Sequence, residues 1–245
     1  MNKIIEWMLS RKIFIARGSV LGIALILTLI GKDFAIEVFH YNLFGGVKVF
    51  HLLWAFVMAE MALVLMPKLD HFIGCGKIYK KNYIPRHHDN TALEAYTRGF
   101  NLRAFYAAIV WAAALIGIGY FRLEKYWVVM SAILFYFLDQ FFVNVWCPFQ
   151  QWIVRNRCCA TCRIYNWGFA IIVSPLVYIQ SFWTYSLVAM GGVVLIQWEI
   201  LLRRHPERFS EVSNASLSCK NCNDRCNKRP DNQLYKERLR AQGIL

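Results

Sequence analysis

Residues 146–167 read W-C-P-F-Q-Q-W-I-V-R-N-R-C-C-A-T-C-R-I-Y-N-W. Four cysteines (Cys147, Cys158, Cys159, Cys162) and three arginines (Arg155, Arg157, Arg163) share this short polar connection. Long apolar segments lie on both sides of it. A thiol-rich loop between two apolar runs suggests a helical membrane protein with a metal or redox centre at one membrane face.

Composition supports the membrane half of that statement. Of the 245 residues 58% are hydrophobic, and they fall in runs rather than in the alternation of half-buried elements. The hydrocarbon of a bilayer, about 30 Å thick, takes about 20 mostly apolar residues at roughly 1.5 Å of rise each. Six stretches approach that length: 13–30, 47–66, 104–121, 127–146, 165–182 and 185–202. The expected fold is therefore all-α, a six-helix transmembrane bundle over 1–202 followed by a cysteine-containing tail over 203–245.

The first span resembles a signal peptide in outline, but no A-x-A cleavage site follows, so it is read as an uncleaved anchor. Arg17 within it is expected to snorkel back to the interface. Residues 31–46 read as a simple connection. The loop 67–103 is polar, and 91–103 within it is expected to form a helix lying on the membrane. Residues 122–126 allow only a tight turn. The fifth span carries Pro175 and is expected to kink there.

In a soluble protein the net charge of +13 would suggest a nucleic-acid partner. Here Lys and Arg gather in alternate connections instead. The head through Arg17, the loop 67–103, the cysteine loop 147–164 and the tail hold 24 of the 28, leaving Lys32, Lys48, Arg122 and Lys125 for the other side. The positive-inside rule then puts both termini in the cytoplasm of a cell whose inner membrane holds the bundle. The bilayer accounts for the charge, and no nucleic acid is needed.

All eight cysteines (Cys75, Cys147, Cys158, Cys159, Cys162, Cys219, Cys222 and Cys226) fall on that cytoplasmic side. The cytosol keeps thiols reduced, so such a set argues for metal or redox chemistry rather than a disulfide framework. The tail gives Cys219-x2-Cys222-x3-Cys226, and the loop gives Cys158-Cys159-x2-Cys162 with Cys147-Pro148 upstream. A C-x2-C pair lets two thiolates reach one ion from a single turn, for zinc or for iron–sulfur ligation.

Three details favour iron–sulfur. No histidine stands at zinc-ribbon spacing, the tail offers three cysteines rather than two plus two, and eight thiols equal two sets of four. The expected cofactor is one or two 4Fe–4S clusters, with zinc as the alternative. Arg155, Arg157, Arg163, Lys220 and Arg225 would offset the negative charge of thiolate-ligated clusters. Cys75 serves equally well as a ligand or as a small buried hydrophobe.

Charges inside spans are costly and usually functional. Glu60, Asp139 and Glu199 are such charges, and Gln140, Asn144 and Gln197 join them. Asp139 and Glu60 are the candidate catalytic residues, handling protons for a quinone or lipid-like substrate. Packing hydrogen bonds and ion pairs, Arg17 with Glu60 or Asp139, form the plainer account. For Glu199, three residues from its helix end, that account fits better. His40 and His51 have no facing histidine on a second span, which argues against haem.

The function expected from this pattern is that of an integral membrane redox protein, an oxidoreductase or a subunit of one. Electrons would pass between a soluble donor, such as a ferredoxin or flavoprotein, and a membrane acceptor. Two alternatives compete: a zinc-stapled docking scaffold and a soft-metal transporter.

Overall fold

The computed structural model describes residues 3–66, 78–86, 90–121, 123–154 and 161–217. The fold is predominantly helical, in agreement with the all-α expectation. In chain order the helices are α1 (Lys3–Ile30), α2 (Lys32–His40), α3 (Val49–Leu65), α4 (Asn90–Tyr120), α5 (Lys125–Asn144), α6 (Arg163–Asn166), α7 (Gly168–Val173) and α8 (Phe182–Arg204). A π-helical turn, Phe149–Val154, precedes α6, and a 3-10 turn, Ser174–Tyr178, continues α7.

Four helical stretches are long and apolar enough to cross a bilayer: Ile13–Ile30, Thr97–Tyr120, Lys125–Asn144 and Phe182–Arg204. Val49–Leu65 and Gly168–Tyr178 are apolar but shorter. The distribution of side chains on these helices is the reverse of a soluble protein's. On α1, Leu29 is 87% exposed while Arg17 is 1% exposed. Ile109, Val110 and Ile116 on α4, with Val193, Ile196 and Ile200 on α8, also point outward. An apolar exterior over a charged interior suits hydrocarbon as the solvent.

The chain divides into two compact units. The first comprises Met1–Ile73, Ala112–Gln140 and Trp167–Ile196. Its core joins Ala24 of α1, Ala35 of α2 and Tyr126, Met130 and Ile133 of α5, with Val20, Leu21 and Phe39 packed around them. Thr28 shares a 2.5 Å hydrogen bond with the Tyr126 hydroxyl, tying α1 to α5. Lys32 and Glu124 form an exposed ion pair nearby. The hydrogen bond that the Lys32 ammonium donates to this carboxylate holds it above its ordinary titration range.

Residues 31–46 do more than connect. Besides α2 they form a hairpin, Asn42–Phe44 against Val47–Lys48, which turns at Gly45 and Gly46. Both glycines have positive φ, 54° and 82°, as a tight two-residue hairpin turn requires. The hairpin feeds α3, whose first turn is capped when the Lys48 backbone N–H donates to His51 Nδ1 at 2.9 Å. His51 also stacks against Phe50 and Trp183. It is a capping and packing residue here.

The fifth apolar segment departs furthest from a uniform span. Pro175 ends regular helix after Val173, because it has no N–H to donate and crowds the preceding turn. Ile172, Val173, Pro175 and Leu176 are all buried. Close approach is made possible by glycines on the neighbours. A Cβ at Gly191 of α8 would meet Val173 Cγ2 at 2.7 Å, and one at Gly119 of α4 would meet the Tyr178 ring at 2.7 Å.

The second unit comprises Gly74–Trp111, Phe141–Asn166 and Gln197–Leu245. Its core gathers Ile78, Cys162, Leu202, Phe209 and Leu217, flanked by Ile164, Tyr165, Trp198 and Leu201. Residues 91–103 are not a separate surface helix. They are the first part of α4, which has no proline between Asn90 and Tyr120 to stop it.

Candidate functional site

In the first unit the charges carried by three apolar helices meet at one side chain. Arg17 of α1 donates from Nη2 to Glu60 Oε2 of α3 at 2.7 Å and from Nη1 to Asp139 Oδ2 of α5 at 2.8 Å. Nη1 also reaches the Tyr136 carbonyl at 3.1 Å. The Tyr136 hydroxyl donates to Glu60 Oε2 at 2.7 Å, and its ring lies under the guanidinium with 4.0 Å from Cζ to the centroid. Phe169 of α7 closes another side at 5.8 Å.

Arg17 therefore does not snorkel, as its sequence position suggested. Two carboxylates and a π-face hold it inside, which a desolvated guanidinium needs more than it needs distant water. Gly168 completes the cage, since a Cβ there would stand 2.7 Å from Asp139 Oδ1. Two buried atoms of this cluster, Arg17 Nε and Glu60 Oε1, have no hydrogen-bond partner among the described residues.

In the second unit, Cys162 is 4% exposed and sits in the apolar cluster with Ile78 and Leu217. Two backbone segments run antiparallel beside it. The Arg86 N–H donates to the Ser213 carbonyl and the Ala215 N–H to the Ile84 carbonyl, each at 2.9 Å. Asn214 locks this pairing from within. Its Oδ1 accepts from the Ile84 and Ser216 backbone N–H groups and from the Ser216 hydroxyl, and its Nδ2 donates to the Arg208 carbonyl. Asn214, Ser213 and Thr161 are wholly buried.

Of the proposed thiol ligands, Cys147 is half-buried and Cys162 buried. Cys75, Cys158, Cys159, Cys219, Cys222 and Cys226 lie outside the described residues, as do Arg155, Arg157, Lys220 and Arg225. Among the described residues no group of three or more His, Cys, Asp or Glu could hold a metal ion. Arg163, expected to offset cluster charge, instead pairs with Glu199 through both carboxylate oxygens, Nε reaching Oε1 at 3.0 Å. It also donates to Asn101 Oδ1 at 2.9 Å. Glu199 is thus a packing residue.

Glu60 and Asp139 are brought together as sequence reasoning allowed. The residues it passed over are Tyr136 and Gly168. Tyr136 stands three positions before Asp139, one helical turn away on the same face, and that spacing was the available signal. Comparison of the chain with family models, curated proteins and solved structures yields no match.

Proposed function

We propose that the chain is an integral membrane redox protein of the inner membrane, crossing it six times with both termini in the cytoplasm. On this reading α3 and the broken α6–α7 segment complete the crossings made by the four long helices. The 17 residues of α3 reach about 26 Å at the helical rise, enough for a bilayer that thins slightly around it. Removing Arg17 from the cytoplasmic charge count, now that it lies inside, leaves the Lys and Arg asymmetry nearly as steep.

The cysteines would hold one or two iron–sulfur clusters carrying electrons between a soluble donor and a quinone or lipid-like acceptor, while Glu60 and Asp139 handle protons. One observation carries the metal reading: Ile78, Cys162 and Leu217 share one buried cluster. Cys75 is three residues from Ile78, Cys159 three from Cys162 and Cys219 two from Leu217. Three cysteine-bearing stretches that are distant in sequence thus adjoin members of one apolar cluster along the chain. A cluster bound there would supply one-electron transfer.

Elemental and sulfide analysis of anaerobically purified full-length protein tests this. Iron with acid-labile sulfide is expected, and Cys75→Ser, Cys162→Ser and Cys219→Ser should each lower it. Zinc without sulfide would replace the redox reading with a docking scaffold. A metal-free protein would overturn both.

A further inference from the structure

The first unit carries an apolar surface that continues past the end of its first long helix. It runs from Leu29 and Ile30 of α1 through Phe34 of α2 to Tyr41, Leu43 and Phe44 of the hairpin, all exposed, Phe44 by 71%. Asn42, Leu43 and Phe44 make one strand of that hairpin, and all three are exposed, so neither face of the strand is covered. A two-stranded ribbon is marginal in water by itself, and apolar surface left open in this way marks a contact with a membrane or a partner.

The ion pair of Arg17 with Glu60 fixes the level of the hairpin. From Arg17 to Ile30 α1 rises about 20 Å, and from Glu60 back to Val49 α3 measures about 17 Å. The end of α1 and the start of α3 therefore stand at nearly one level, and the hairpin lies between them in the chain. The start of α8 joins them there. Trp183 stacks on His51 at 4.4 Å and on Trp54 at 4.9 Å, and the Trp54 Nε1–H donates to Ser186 Oγ at 2.9 Å. Tryptophans near the ends of apolar helices mark the boundary between hydrocarbon and headgroups. An open ribbon suits that boundary and not the hydrocarbon, because its edge N–H and C=O groups need water.

We infer that the hairpin seats in the phospholipid leaflet at this boundary, with Tyr41, Leu43 and Phe44 reaching the upper acyl chains. Two observations select lipid over a docked protein. A protein would cover one face of the strand, whereas a fluid reaches Asn42, Leu43 and Phe44 alike. The charges of residues 31–48, Lys32, Asp33, Glu37 and Lys48, also cancel, which leaves apolar contact rather than electrostatic pairing as the source of attachment. The inference rests on these helices crossing a bilayer. It does not depend on the metal that the cysteines hold or on which leaflet the hairpin faces.

Photo-crosslinking in the full chain tests it. The probe p-benzoylphenylalanine replaces Leu43, Phe44 or Glu37 one at a time, and all three positions are exposed, so none of the replacements disturbs packing. After irradiation of native membranes, mass spectrometry should find phospholipid adducts at positions 43 and 44 and far fewer at 37. Adducts to another protein, or no adducts, at 43 and 44 would overturn the inference, as would equal lipid yields at all three positions. In phosphatidylcholine vesicles, adding phosphatidylglycerol should leave the lipid yield at 44 unchanged. A severalfold rise would overturn apolar seating in favour of an electrostatic contact. Iron and sulfide content do not enter these measurements, so a failure here and a failure of the redox reading are distinguishable.

Discussion

Replacing Arg17 by leucine would strand Glu60 and Asp139 in an apolar interior with their shared donor gone. Breaking a buried charge pair in this way costs about 3–5 kcal/mol, so Arg17→Leu should strongly lower the unfolding midpoint in detergent. Arg17→Lys should fall between, because an ammonium cannot present a planar fork to two carboxylates and a carbonyl at once. The sequence marks these charges plainly, since an ionisable residue inside an apolar run stands out by cost alone. It does not carry the rotation of α1 about its axis. Arg17 could face the interface or the interior with the same neighbours in the chain, and only the positions of α3 and α5 decide between them.

Helix contacts in the first unit depend on missing methyl groups. A Cβ at Gly191 would lie 2.7 Å from Val173 Cγ2 and 3.4 Å from Ala170 Cα, whereas one at Gly192 meets nothing within 4 Å. Gly191→Ala should therefore destabilise by about 1–3 kcal/mol through overpacking. Gly192→Ala should stay within about 0.5 kcal/mol of wild type. Thermal melts of the two neighbours in the same detergent give the comparison. Gly168→Ala should resemble Gly191→Ala, because the added Cβ would meet Asp139 Oδ1 while the same carboxylate is tied to Arg17 through Oδ2. Helix existence is legible from apolar runs, and Pro175 announces the break in the fifth segment. Helix ends are less so. Residues 91–103 look like a surface helix because Arg98 and Arg103 interrupt the apolar pattern, yet the backbone has no reason to stop and runs through.

At the scale of the molecule, the second unit rests on a lock that composition hides. Asn214 is one polar residue in a polar stretch, but it is wholly buried and joins Ile84, Arg208 and Ser216. Asn214→Ala should leave several buried groups unsatisfied and cost about 1–3 kcal/mol locally. Faster hydrogen exchange at the Arg86 and Ala215 amides would report it. The cysteine pattern is legible as a count and a spacing, and the bridge between residues 84–86 and 213–215 is not, because it pairs segments about 130 positions apart by backbone bonds that any sequence could make.

Whether the tail and residues 146–167 face the cytoplasm decides the account as a whole. Impermeant thiol labelling of cells before and after permeabilisation measures this directly. With both termini and all cysteines inside, the cysteines of the tail and of residues 146–167 should label only after the membrane is opened. Labelling of either set on intact cells would contradict the orientation and, with it, a centre fed by a cytoplasmic donor.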